Sequence, residues 1–185
     1  MTDKEWEEMK EKVLEGWKEF KEPVDRLSWD EYFILEAYKV STRSLDPQTQ
    51  CGCVFVRDKT PISTGYNSFI GNINDSVLPN LRPEKYQFMM HSEANAIYNC
   101  SKNGVSSNGA IAYVTGKPCN NCFQAMHQAG IKEIRYYDGN RAVMTNTIEC
   151  DIVFEILTNL SSMIVTVIPA TSEFSEKIDR IKSCR

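Results

Sequence analysis

His91-Ser92-Glu93, followed by Pro118-Cys119-Asn120-Asn121-Cys122, is the stretch whose reading decides this chain. Two thiols and an imidazole are borderline-soft ligands that suit Zn²⁺. Three protein ligands leave the fourth tetrahedral position open, which separates a catalytic zinc from a closed structural one. Glu93 is a carboxylate beside the ligands that need not be a ligand itself. Cys119 and Cys122 lie three apart, so on a helix both thiols face one way. In a first helical turn the unpaired N–H groups favour thiolates, the form that binds metal. His91 and Glu93 fall in the first turn of another expected helix. If the two N-termini face each other, His91 completes the ligand set and Glu93 flanks the open position.

Other readings of these residues compete. A Cys-x-x-Cys pair alone is a weak signal. Cys100 as a fourth ligand would close the site, but it lies about two and a half turns along the His91 helix, roughly 13 Å by helical rise. Cys51 and Cys53 are expected on opposite faces of a strand, packing as small apolar residues. His127 is offset from Cys122 by neither three nor four residues and reads as a surface or supporting residue. Cys150 and Cys184 carry no constellation.

Working outward, strands and helices alternate. The N-terminal residues 1–22 interleave Lys and Glu with Trp6, Met9, Val13, Trp17 and Phe20, an amphipathic helix that Pro23 ends. Its apolar side must dock on its own domain or on another subunit. Ser28 and Glu31 form a capping box, and Trp29, Phe33, Ala37 and Val40 share a helix face. Cys51–Val56 reads as a buried strand, with a turn at Asp58-Lys59-Thr60 and a hairpin partner at Pro61–Tyr66. Residues 67–89 are long for a passive loop. His91–Ser101 is helical and Gly109–Thr115 a strand. Pro118 starts a helix that Gly130 caps. Glu133–Asp138 is a strand, Thr147–Asn159 a helix and Met163–Ile168 a strand. A helix between the last two strands makes them parallel. The organisation is a helical extension over 1–25, one α/β domain over 26–170 and a polar tail over 171–185.

Bulk properties narrow the function. The 185 residues are 42% hydrophobic and 25% charged, an ordinary globular balance that fits one domain with extensions. No run approaches the roughly 20 apolar residues of a membrane helix, and the charged start has no signal-peptide core. A cytoplasmic setting follows. Seven cysteines there read as thiols or ligands rather than a disulfide framework. The net charge of −4 argues against a nucleic-acid partner, although one local Arg or Lys can hold a single phosphate.

The chain also resembles the cytidine deaminase superfamily, and within it the deoxycytidylate deaminases. Thr42 to Gly52 resembles the R-S-x-D-P-x-x-Q-V-G segment, Gly65-Tyr66-Asn67 the G-Y-N loop, and His91-Ser92-Glu93-Ala94-Asn95-Ala96-Ile97 the H-A-E-x-N-A-I motif. The H-x-E…P-C-x-x-C pattern is the signature of zinc deaminases. The likeness runs in register over roughly 26–140. It implies a three-layer α/β/α fold on a five-stranded mixed sheet, and hydrolysis of dCMP to dUMP and ammonia. It implies zinc on His91, Cys119 and Cys122, and Glu93 as the proton carrier. Asn67 is implied near the sugar and Arg43 near the phosphate, a surface or subunit contact being the other reading of Arg43. A homo-oligomer, commonly hexameric, is implied, with dCTP and dTTP as effectors. Ser68 and Ile70 stand where that family often has glycine and proline, which puts the effector site in question. Ser92 stands where it has alanine. Other cytosine nucleotides as substrate, or a zinc module without catalysis, remain the alternatives.

Overall fold

The computed structural model describes residues 1–18, 26–139 and 148–183. Phe20, Pro23, Thr147 and Cys184 lie outside them. Helix α1 spans Asp3–Lys18 and α2 Trp29–Ser41. Strands β1, Gly52–Arg57, and β2, Thr60–Tyr66, form a hairpin. Asp58 and Lys59 both take positive φ between them, as a two-residue turn matched to strand twist requires. Two short 3₁₀ turns, Asp75–Val77 and Glu84–Gln87, lie in the long segment before α3, Ser92–Lys102. Then come β3, Ile111–Val114; α4, Asn120–Gln128; β4, Glu133–Tyr137; α5, Ile148–Leu160; β5, Ile164–Ile168; and α6, Ser172–Ser183.

The sheet order is β2-β1-β3-β4-β5. Strand β1 runs antiparallel to both neighbours, while β3, β4 and β5 are mutually parallel. The crossovers between the parallel strands are α4 and α5, as the alternation of periods requires. The expected mixed five-stranded sheet is therefore observed. Each face carries its own core. On one side Cys53, Phe55, Ala112 and Val114 meet Ala96 and Cys100 of α3, Phe123 and Met126 of α4 and Phe154 of α5. On the other, Val54, Val56 and Tyr113 meet Phe33, Ile34, Ala37 and Tyr38 of α2 and Phe174 and Ile178 of α6. This is a three-layer α/β/α arrangement.

Several details depart from the sequence reading. Residues two apart in a strand share a face, so Cys51 and Cys53 are not on opposite sides. Cys53 enters the α3-side core, and Cys51, just before the strand, opens onto the pocket at the start of α3. In α2 the buried stripe is Phe33, Ile34, Ala37, Tyr38 and Ser41; Trp29 stays half-exposed and stacks on the Phe33 ring at 5.6 Å. The Ser28–Glu31 capping box is present, each backbone N–H received by the other's side chain. The segment expected as a tail folds as α6 and closes the α2 layer. Helix α1 buries none of its residues, and Trp6 and Trp17 are 51% and 61% exposed. Among the described residues no helix is long and apolar enough to cross a membrane.

Candidate metal centre and its pocket

Both metal-ligand segments arrive at helix N-termini. His91 is the N-cap of α3 and Cys119 the N-cap of α4. Pro118 therefore sits just before the α4 cap rather than at the first helical position. The Cys119 sulfur accepts the Cys122 backbone N–H at 3.4 Å, the bond an N-cap oxygen would ordinarily take. Each helix end presents unpaired N–H groups and a partial positive charge.

The two loops bring the ligand atoms together. Both sulfurs lie 3.5 Å from His91 Nδ1, and all three atoms fall within 4.8 Å of one another. Zn–S near 2.3 Å and Zn–N near 2.05 Å at a tetrahedral angle imply an N···S separation of about 3.5–3.6 Å. The residues therefore fit zinc without rearrangement. No other such group occurs among the described residues. Cys100 is buried in the α3-side core and His127 is not part of the cluster.

Proton affinities point the same way. The Cys122 thiol donates to Cys119 and, with His91 beside it, brings the Cys119 thiol down to about 4, while the same bond and burial push Cys122 upward. Hydrogen bonding to Cys119 lifts His91 to about 9 against its burial. Two sulfurs and an imidazole share protons at the place where a divalent cation would replace them.

Glu93 follows His91 in the first turn of α3 and is 5% exposed. Burial raises its proton affinity, and the neighbouring His91 opposes that rise. Ser92 Oγ donates to its Oε2 at 2.9 Å, the partner for the serine that stands in place of alanine.

His91, Ser92, Glu93 and Cys119 line one pocket of about 80 Å³, together with Asp46, Cys51, Asn67, Lys85 and Lys117. Asn67 is buried in its wall. Arg43 is elsewhere. The chain turns out of α2 at Thr42, leaving Arg43 exposed on a neighbouring cavity of about 740 Å³ that Ser68, Ile70 and Asn72 also line. Tyr136 and Tyr137 point to opposite cores and line neither cavity. The sequence reading missed Lys85 and Lys117. Lys117 pairs with Asp151 of α5 at 2.6 Å and lies over the Phe154 ring. Its place directly before Pro118 was the one available signal.

A layered α/β domain with an imidazole and two thiols gathered at two helix N-termini, and a buried carboxylate beside them, defines a class of α/β protein whose residues would hold a metal ion with three protein ligands. Comparison with known proteins specifies the class. The family model for the cytidine and deoxycytidylate deaminase zinc-binding region matches residues 27–138, and the chain belongs to that family. It is 37% identical over 130 residues to deoxycytidylate deaminase of Homo sapiens, covering 64% of this chain and 72% of that one. It is 38% identical over 115 residues to ComE operon protein 2 of Bacillus subtilis (strain 168), covering 61% of each. The dCMP deaminase of cyanophage S-TIM5 superposes with a TM-score of 0.58 at 20% identity, over 78% of this chain and all of that one. That likeness is one of fold.

Proposed function

We propose that this protein is a zinc-dependent hydrolase that converts dCMP and water to dUMP and ammonia. The observation that carries the reading is the tetrahedral-spaced His91–Cys119–Cys122 cluster with the buried Glu93 in the same pocket. Membership of the deaminase family and 37% identity to the human deoxycytidylate deaminase support it.

His91, Cys119 and Cys122 hold the zinc. When bound, zinc supplies a Lewis acid that makes water nucleophilic near neutral pH. Glu93 does the proton work: it takes one proton of the attacking water and delivers it to N3 as oxygen adds to C4. It then takes the remaining proton from that oxygen and gives it to the departing amine, so that the C4–N bond breaks, ammonia leaves and the C4 carbonyl forms. A buried carboxylate with raised proton affinity is suited to holding that proton between transfers. Ser92 fixes one oxygen of Glu93, leaving the other for the reacting water. Asn67 faces the sugar side of the nucleotide. Arg43 is not assigned to the substrate phosphate, because it lines the other cavity.

That second cavity supports nucleotide regulation as a separate reading, since the Ser68–Asn72 segment walls it together with Arg43. The exposed apolar faces of α1 and α5 support a homo-oligomer such as a hexamer. The thiols of Cys51, Cys53, Cys100, Cys119 and Cys122 suit a cytoplasmic enzyme supplying dUMP for thymidylate synthesis.

The test is ammonia release from cytidine, deoxycytidine, CMP, dCMP, C5-modified dCMP and dCTP, each with and without dCTP and dTTP as additives. Preference for dCMP is expected. A stronger preference for any other compound reassigns the substrate, and an indifferent rate with both additives removes the regulatory reading.

A further inference from the structure

The metal pocket holds a buried ion pair that the reaction above does not use. Lys85 is 2% exposed, and its ammonium lies 2.6 Å from both carboxylate oxygens of Asp46. A buried pair offsets its desolvation only with good geometry and further hydrogen bonds. Asp46 has them: Oδ1 also accepts the backbone N–H groups of Gln48 at 2.8 Å and Thr49 at 3.0 Å, and Oδ2 accepts Asn67 Nδ2 at 3.2 Å.

The consequence falls on Asn67. A carboxylate facing an ammonium is an acceptor only, so the amide must turn its NH₂ toward Asp46. The Thr49 carbonyl at 2.8 Å and the Met89 sulfur at 3.3 Å take the remaining donor capacity. Oδ1 then faces the other way, accepts the Cys51 N–H at 2.8 Å and retains one lone pair. Every donor of Asn67 is engaged, and an acceptor is what remains for a ligand. Asp46, Asn67 and Lys85 all line the pocket that contains Glu93.

We propose that Lys85 is a positioning residue: through Asp46 it locks the Asn67 amide so that the pocket offers an acceptor, and thereby selects a nucleotide carrying a sugar hydroxyl at that point. The proposal rests on the deaminase reading above.

The test compares dCMP with 2′,3′-dideoxy-CMP, which lacks the hydroxyl, on the wild type and on K85M/D46N, which replaces the ion pair by neutral groups of similar size. The wild type is expected to favour dCMP roughly tenfold in kcat/KM, the scale of one hydrogen bond. In the zinc-loaded double variant the ratio should fall toward one, chiefly through KM for dCMP. A merely structural pair would lower both substrates together and leave the ratio intact, which overturns the proposal. So does a wild type indifferent to the hydroxyl. Should the double variant fail to fold, hydrogen exchange of the Asn67 side-chain amide in the wild type decides: slowed exchange at both protons is expected, and exchange as fast as that of exposed amides overturns the network. A zinc-loaded wild type inert toward every cytosine nucleotide contradicts the deaminase reading instead, and the exchange measurement still judges the network.

Discussion

At the residue scale the roles proposed for Glu93 and for the cluster His91, Cys119 and Cys122 differ, and substitutions separate them. Glu93→Gln keeps shape and the Ser92 contact but cannot carry a proton. It should retain one zinc per chain while kcat falls by about 10²–10⁴, the usual range for a lost general acid–base; steady-state kinetics with metal analysis checks both. Cys122→Ala should instead lose the zinc, because removing one of three protein ligands leaves two. That His91, Cys119, Cys122 and Glu93 would come together was legible in the sequence, because metal chemistry restricts residue types and their spacing. The Lys85–Asp46 pair was not. A lysine between Glu84 and Tyr86 carries no local sign of burial, and Asp46-Pro47 reads as a helix stop. Only the fold brings those segments together around Asn67. Arg43 shows the converse: motif position left it open between a phosphate partner and a surface or subunit contact, and only the turn out of α2 shows which cavity it lines.

At the scale of elements, the placement of the α3 N-terminus depends on how closely that helix meets β2. A Cβ on Gly65 would stand 2.2 Å from the Ser92 carbonyl oxygen and 2.4 Å from the Ala96 nitrogen, both backbone atoms. Gly65→Ala should displace α3, cost about 1–3 kcal/mol and weaken zinc retention, seen as a lower Tm and faster loss of metal to a chelator. Helix α2 depends on its cap. Ser28→Ala should cost about 1 kcal/mol. The Ser28 hydrogen bonds lower the proton affinity of Glu31. A carboxylate depressed on folding stabilises above its unfolded pKa and loses that contribution as pH falls through its folded value. The Ser28→Ala penalty, measured by denaturation, should therefore shrink as pH drops below about 4.5. Apart from α6, element order and type were readable, because helices such as α2 bury one face at helical spacing while β1 and β3 are short apolar runs buried almost throughout. Boundaries were less so, since caps rather than propensity set them: Cys119 caps α4 where proline suggested an earlier start.

For the whole molecule, the two terminal helices behave oppositely. Helix α1 buries nothing, whereas α6 inserts Phe174 and Ile178 into the core beside α2. Removing residues 1–18 should leave the melting temperature of the dilute monomer within about 3 °C. Removing 172–185 deletes two core side chains whose burial is worth about 1.5–3 kcal/mol each, uncovers the α2 face they pack against, and should unfold or strongly destabilise the domain. Weak helical spacing hid α6 in the sequence, because only two positions in it are fully buried. The strong amphipathic pattern of α1 announced a helix without saying what covers it. Zinc content and ammonia release from dCMP, measured on one purified sample, decide whether the metal pocket is a deaminase site. One zinc per chain with stoichiometric formation of dUMP and ammonia is the result predicted. A fully zinc-loaded protein that leaves dCMP unchanged would rule out dCMP deamination at this pocket.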